Sequence, residues 1–596
     1  MLMSKPIYVL GTGLSHDGSA CLLKDGEVCV AIEKERITRI KHDGFCDSEA
    51  MQYCLDAEGI GFDDVAVVVQ NANFSNFDRG NKIFHGQPRI IPDHVKTVTI
   101  SHHMAHAYSV VGTSPFDDMA VLVIDGCGSS WDDCLDLDGA QVPEVQPGAD
   151  FNHLFFEKDS YYLYEKGKLR PVYKDFSPFG YFLKGYSMCP PTTKHSIGGL
   201  YSGVSQYVFQ GMEDPGKLMG LAPYGRPDVY DFQAFDCRNG RVFVNYDWMK
   251  HFDRPRVRYE DLAENFDYYA DIAYWMQREI ERALLYLVNH RFEHQPHKNL
   301  GYAGGVALNA VANAKLLKQT GFEDFYFQPA AADNGLAIGC AYYGWLEVLG
   351  QERIKHDASP YFGKSYDAEQ LYPAMQAYAG KISYRRLPED EAINRTAELL
   401  AAGKVVAWFE KGSEFGPRAL GHRSILADPR NPDIREHINR NVKFREDFRP
   451  FAPSVPLEKA GVYFDCDYPS PYMILVAPTR EEWKKEIPAV VHADGSARVQ
   501  TVTESVSPNY YRLLNKFGEL TGVSVLLNTS FNKKGMPIVE TPKEALDFFM
   551  ECALDALVID GCLIEKTAVA QQTRKVDEKK EWEKGLGSLY PENVGI

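Results

Sequence analysis

Two histidines spaced four apart, His102 and His106 in ISHHMAHAYS, are the first residues of this 596-residue chain that could do chemistry together. On a helix that spacing sets both imidazoles on one face, within reach of one metal ion. No glutamate completes an HEXXH pattern, so a zinc-protease centre does not follow and further ligands must come from elsewhere. Asp125 in VIDGCG and Asp333 in AADNGLAIG stand at glycine-flanked strand ends suited to that task. Either one alone also reads as a turn or helix N-cap residue. Two histidines with carboxylates suit ferrous iron as well as zinc or manganese. His16, at a hairpin turn in LSHDGSA, is a lone imidazole with an ordinary pKa of about 6.5, able to take a proton at neutral pH or simply to bond its own loop.

Other residues point to phosphate. Gly304, Gly305 and Asn309 in YAGGVALNA, and Gly335 after Asp333, fall between strand and helix. Bare N–H groups and a helix dipole there can receive phosphate or ribose, although a plain tight turn uses the same glycines. GKLMGLAPYG adds Lys217 and Gly220 in a loop suited to pressing against a nucleotide. Downstream, SEFGPRALGHRSILADPRNP, NVKFREDFRPFAPSV and VLLNTSFNKKGMPIV gather Arg418, Arg423, Lys443, Arg445 and Arg449, with Asn528, Ser530 and Asn532. Guanidinium forks match phosphate and carboxylate oxygens in bidentate fashion. The interleaved Gly, Pro, Phe and Ala favour a closed pocket over an exposed basic face.

Elements able to position these groups follow from the pattern. PIYVLGTG, SACLLK and VCVAIEKERI predict strands with a hairpin at Asp25-Gly26, and a similar strand and turn return in MAVLVIDGCGS. Ile272, Met276, Ile280, Leu284 and Leu287 have the spacing of a buried helix face. Strand-loop-helix units follow at NLGYAGGVALNAVANAKLL and DFYFQPAAADNGLAIG, so the class is α/β. Residues 135–175 read as a surface elaboration and 351–385 as polar and turn-rich. After them a helix near 389–402 and the strand KVVAWFE begin a new α/β pattern. The boundary falls near 365–380, giving domains 1–365 and 380–596. The charged segment from Lys566 onward reads as a surface helix or partly ordered tail.

Composition is globular, with 45% hydrophobic and 24% charged residues. A net charge of -18, from 82 acidic and 64 basic side chains, repels nucleic-acid backbones and anionic membranes. Twelve cysteines without a C-x-x-C pair, no secretory leader pattern and no membrane-length apolar run lead us to expect a soluble, cytoplasmic protein.

SHDGSACLL, HHMAH, IDGCGS, GKLMGLAPYG, GGVALN and ADNGLAIG occur in an order that resembles the Kae1-like domain of the O-carbamoyltransferases over about residues 6–345. The later strings resemble the YrdC-like domain of the same family over roughly 380–565. The resemblance implies an actin-like ATPase (Kae1-like) domain with two related lobes, followed by a YrdC-like α/β domain. It implies a metal, usually iron, on His102, His106 and Asp333, with Asp125 as a further or orienting ligand, and His16 as the residue essential to transfer. ATP and carbamoyl phosphate would give carbamoyl adenylate at the second domain through Arg418, Lys443 and Ser530. The acceptor would be a small-molecule hydroxyl, on a cationic natural product such as an aminoglycoside or a saxitoxin-like guanidinium alkaloid. Nucleic acid and membrane are not expected partners, and a homodimer is compatible. Family members often read Q-G-R-x-E before FGPRALG. Here Lys411-Gly412-Ser413-Glu414 lacks that arginine, which leaves Lys411 as a candidate substitute. Two competing readings are a tRNA threonylcarbamoyladenosine-type enzyme, which the negative charge opposes, and an actin-like ATP-binding scaffold, which leaves His16 and the arginines without a role.

Overall fold

The computed structural model describes residues 5–44, 46–72, 83–84, 87–88, 90–143, 155–178, 195–212, 214–568 and 580. The first sheet is built from β1 (Tyr8–Gly13), β2 (Ser19–Lys24), β3 (Glu27–Glu33), β4 (Val65–Ala72) and β5 (Thr97–Ser101), in the order β3-β2-β1-β4-β5. Asp25 and Gly26 both have positive φ, 51° and 89°, as the tight β2–β3 hairpin requires. A second sheet repeats that path. It comprises β6 (Met119–Ile124), β7 (Phe155–Glu165), β8 (Lys168–Pro178), β9 (Asn299–Ala303) and β10 (Asp324–Phe327), in the order β8-β7-β6-β9-β10. In each sheet two antiparallel connections are followed by two parallel strands on the opposite side of the first.

The structure corrects one expectation. Residues 155–175, read as part of a surface elaboration, belong to a long hairpin, Phe155–Glu165 and Lys168–Pro178, that completes the second sheet. Their pattern is disguised because the strands bury charges in pairs: Lys158 with Asp175 at 3.0 Å, Lys174 with Asp136 at 2.7 Å and Glu157 at 2.5 Å, and Arg291 with Asp159 at 3.0 Å. The 29-residue helix Phe266–His294 packs on this half, burying Ile272, Met276, Ile280, Leu284 and Leu287. Between the two sheets cross the helices His102–Thr113 and Leu336–Tyr343. Their approach depends on glycine: a Cβ on Gly339 would lie 1.7 Å from the Ala105 carbonyl oxygen.

The C-terminal half carries one eight-stranded sheet. Its strands are β11 (Ile382–Arg386), β12 (Val406–Phe409), β13 (Arg423–Ala427), β14 (Ala452–Pro456), β15 (Gln500–Val502), β16 (Leu526–Ser530), β17 (Ala556–Ile559) and β18 (Cys562–Lys566), ordered β11-β18-β17-β12-β13-β16-β14-β15. The helix Ala368–Gln376 contributes Leu371 and Met375 to this half's core. The stretch before it is pinned to both halves, since Ala31 N–H donates to the Phe362 carbonyl (2.9 Å), Gly363 N–H to Ser413 (3.0 Å) and Phe415 N–H to Pro360 (2.7 Å). Beyond Ala568 the expected tail lies outside the described residues, except Lys580. Among the described residues every cysteine is unbridged, and no helix is long and apolar enough to cross a membrane.

Replacing Gly339 with Ala should cost about 1–3 kcal/mol, because the packed helix crossing has no room for a methyl group. Denaturant unfolding of the pure variant checks this; unchanged stability would contradict the close crossing.

Candidate active site

The His102–Thr113 helix starts directly after β5, and its first turn is fixed from the second sheet. His102 N–H donates to Ser129 Oγ at 2.9 Å, and the N–H groups of His103 and Ser129 both donate to Glu157 Oε2, at 3.2 and 3.0 Å. Burial opposes the charge on Glu157, but Lys174 beside it holds the carboxyl down at about 2. Asp125 follows β6, where Gly305 N–H donates to its Oδ1 (3.1 Å), and Asp333 opens the turn before the Leu336–Tyr343 helix. These elements bring His102, His106, Asp125 and Asp333 together, one ligand atom of each lying within 4.8 Å of the others, all buried.

Within this group His102 Nε2 lies 2.9 Å from Asp125 Oδ2, 3.4 Å from Asp333 Oδ1 and 3.1 Å from His106 Nε2. His106 Nε2 is 3.7 Å from each carboxylate. Burial opposes charge on His102, yet Asp333 and Asp125 outweigh it and raise the imidazole to about 10. Both carboxyls are in turn held below their ordinary range despite burial, Asp125 by the two histidines and Asp333 by His102 and His16 foremost. Two anionic oxygens and two ring nitrogens converging in a dry pocket form a donor set that fits a divalent transition metal. Neither Nδ1 has a hydrogen-bond partner among the described residues, so packing and the carboxylates orient the rings.

Asp333 also faces outward. Its Oδ2 accepts from Ser15 Oγ and lies 3.2 Å from His16 Nδ1, while His16 Nε2 is 3.5 Å from Asp17. His42 Nδ1 completes a chain, 2.8 Å from Asp17 Oδ1. A Cβ on Gly44 would fall 2.2 Å from the Ser15 carbonyl oxygen, so the His42 loop is pressed onto the turn that carries His16. Sequence reasoning missed Asp17 and His42. The Asp17 of LSHDGSA was in view, but nothing in the spacing ties it to a histidine 25 residues on.

The glycine-rich loops surround the same centre. Gly304 has φ 92°, and a Cβ there would meet the Ile124 carbonyl oxygen at 2.2 Å; one on Gly335 would meet that of Ala330 at 2.0 Å. Asn309 caps the Ala310–Gln319 helix through the Ala312 N–H (3.0 Å) and bonds Gln277. Lys217 and Gly220 stand elsewhere, against the C-terminal half. Lys217 Nζ is 2.7 Å from Asp214 and 4.0 Å from Glu446, and a Cβ on Gly220 would lie 3.6 Å from Pro450.

A second constellation gathers Arg418, Lys443, Arg445 and Arg449 with Arg498. Burial, with Arg449 nearby, lowers Arg418 to about 10, and burial with neighbouring guanidiniums depresses Lys443, Arg445 and Arg498. Among the described residues Arg418, Lys443, Arg445 and Arg498 form no ion pair, and Glu446 is the carboxylate at the edge of the group, 3.9 Å from Arg449. Lys443 Nζ donates to Ser530 Oγ (3.1 Å), to Asn532 Oδ1 (2.6 Å) and to both their carbonyls. Asn528 turns to Ser454, Gln500 and the Ala419 carbonyl. Arg423 points away from the group. It packs over Phe409, 3.5 Å from the ring centre, and donates to the carbonyls of Glu410 and Glu540. Arg498 escaped the sequence reading because it stands alone in ADGSARVQ, far from the basic segments. At Gly412, where the family resemblance leads one to expect an arginine, a Cβ would lie 2.2 Å from the Gly363 carbonyl oxygen, so backbone fills the space; Lys411 is exposed.

With this geometry in hand, two family descriptions match the chain: "Carbamoyltransferase N-terminus" over residues 9–83 and 89–342, and "Carbamoyltransferase C-terminus" over 397–566. The chain belongs to the carbamoyltransferase family. The nodulation protein NolNO of Sinorhizobium fredii is 33% identical over 94% of this chain and 80% of its own length. An uncharacterised protein of Synechocystis sp., sll1178, is 34% identical over 96% and 98%, and the 3'-hydroxymethylcephem-O-carbamoyltransferase of Amycolatopsis lactamdurans 28% over 87% and 92%. This carbamoyltransferase is therefore an enzyme that transfers carbamoyl groups.

Substituting His102 or Asp333 by Ala should abolish transition-metal binding while leaving the chain folded, since one candidate ligand is lost without hollowing a core. Elemental analysis and circular dichroism of anaerobically purified protein test this. Wild-type protein with no transition metal and full activity would contradict it.

Proposed function

We propose that this carbamoyltransferase is an ATP-dependent O-carbamoyltransferase with two sites, one making carbamoyl adenylate and the other passing its carbamoyl group to a hydroxyl. The observation that carries this reading is the cation cluster. Lys443 and Arg445 are buried, Arg418, Arg449 and Arg498 stand part-buried around them, and one carboxylate lies at the edge, which leaves positive charge for an anionic ligand to balance. Carbamoyl phosphate and ATP are both polyanions. In balanced form, carbamoyl phosphate and water give carbamate and phosphate; a carbamate oxygen then attacks the α-phosphorus of ATP, and pyrophosphate leaves. The cations offset the repulsion between the two substrates and the charge that develops on phosphorus.

Transfer belongs to His16. Its imidazole takes the proton of the acceptor hydroxyl as that oxygen bonds to the carbamoyl carbon, and AMP departs with the bridging oxygen. Asp333 and Asp17, at 3.2 and 3.5 Å, orient the ring and favour the imidazolium that results. A divalent ion, ferrous iron by the family resemblance, would be held by His102, His106, Asp125 and Asp333 and would supply Lewis-acid polarisation of a phosphate or carbonyl oxygen. The duplicated five-stranded sheets support an actin-like, Kae1-like first half, and the second half follows as the YrdC-like domain. The name of the cephem O-carbamoyltransferase supports a hydroxyl acceptor on a small natural product or carbohydrate. The net charge of -18 suits a cationic acceptor.

His16→Asn should lower carbamoyl transfer by about 10²–10⁴-fold, the usual cost of a lost general base, and leave carbamoyl-phosphate-dependent pyrophosphate formation intact. Arg418→Ala, Lys443→Ala, Arg498→Ala and Ser530→Ala should do the reverse, abolishing pyrophosphate formation while sparing use of added carbamoyl adenylate. Loss of both half-reactions in His16→Asn would contradict the division of labour.

A further inference from the structure

Glu33 ends β3, and Arg36 lies one turn into the short helix Lys34–Thr38 that follows it. Both are almost fully buried, 4% and 1% exposed, and pair at 2.8 Å. A buried ion pair adds little net stability, because desolvation consumes the attraction. Beyond the pair, each partner also bonds the same residue of the C-terminal half. Gly416 N–H donates to Glu33 Oε1 at 2.6 Å, and Arg36 Nη2 donates to the Gly416 carbonyl at 2.7 Å. The same Glu33 oxygen accepts from Asn334 Nδ2 at 3.3 Å. Asn334 is the neighbour of Asp333, and Gly416 stands two residues before Arg418. Gly416 is held from a third side as well. Its φ of 124° and the Pro329 carbonyl oxygen, 2.8 Å from where a Cβ would be, admit only glycine, and Pro329 begins the loop that leads to Asp333.

We propose that Glu33 and Arg36 are positioning residues that clamp the Arg418 loop onto the Asp333 loop, so that the adenylate made at one site stays enclosed until it is used at the other. The proposal rests on the two-site reading above. Breaking the clamp leaves each site's own side chains in place but opens the seam between them, and the adenylate then leaks and hydrolyses to carbamate and AMP. Glu33→Gln keeps an acceptor oxygen toward Gly416 N–H and Asn334 but turns an amide NH2 toward Arg36 Nε–H, so it loses the ion pair.

The test needs no acceptor. Full-length enzyme is mixed with ATP and carbamoyl phosphate, and pyrophosphate is followed through the first turnover and beyond. Wild type should give a burst of about one equivalent followed by slow turnover, because the intermediate is retained. Glu33→Ala, and separately Arg36→Met and Asn334→Ala, should keep the burst and raise the subsequent rate about tenfold. Circular dichroism confirms which variants fold, and the Asn334 change, the mildest, stands in if the ion-pair variants do not. No carbamoyl-phosphate-dependent pyrophosphate from wild type would overturn the two-site reading itself. A wild type that turns over continuously, or folded variants that retain the slow phase, would overturn the clamp alone.

Discussion

One carboxylate, Asp333, looks two ways, and the N-terminal half is arranged around that constraint. Its Oδ1 joins His102, His106 and Asp125, and its Oδ2 meets Ser15 and His16. A buried carboxylate holds its charge only where cations or donors surround it. The histidine helix must therefore cross close to the helix that Asp333 introduces. Gly339 permits that approach, Gly335 lets the Asp333 turn close on Ala330, and Glu157 with Lys174 fixes the first turn of the histidine helix from behind.

The two centres are electrostatic opposites. One concentrates carboxylates and imidazoles, suited to a cation; the other concentrates guanidiniums and an ammonium, suited to phosphates. The overall charge of -18 makes the second a local inversion of the protein's field, confined to a part-buried cluster. Such a cluster attracts anionic substrates and strengthens their interactions by excluding water. The two halves meet at Gly416, at the 360–363 segment that bonds to both sheets, and through side chains such as Tyr53 with Glu540 (2.7 Å) and Arg39 with Glu544 (3.3 Å).

Much of this was legible in the sequence where chemistry and period coincide. The i to i+4 histidines lie on a helix as their spacing predicts, and MAVLVIDGCGS ends in a strand that delivers Asp125. The Phe155–Pro178 hairpin was not legible, because its buried Glu157, Lys158, Lys174 and Asp175 mimic a surface pattern until their partners are known. Arg498, Asp17, His42 and the Glu33–Arg36 pair were missed for a related reason. Each acts through a partner distant in sequence, and no local period encodes such a meeting. Conversely, Arg423 shares the basic segment with Arg418 but falls on a strand whose geometry turns it to Phe409, so clustering in sequence overstated clustering in space.

The central claim is that a carbamoyl adenylate links the halves, and oxygen tracing tests it most directly. Carbamoyl phosphate labelled with ¹⁸O in its carbonyl would be supplied with ATP and an accepted hydroxyl compound, and the AMP formed examined by mass spectrometry. If a carbamate oxygen attacks the α-phosphorus and the acceptor then attacks carbon, the label appears in the phosphoryl group of AMP. Full carbamoylation of the acceptor with AMP free of ¹⁸O would contradict the account.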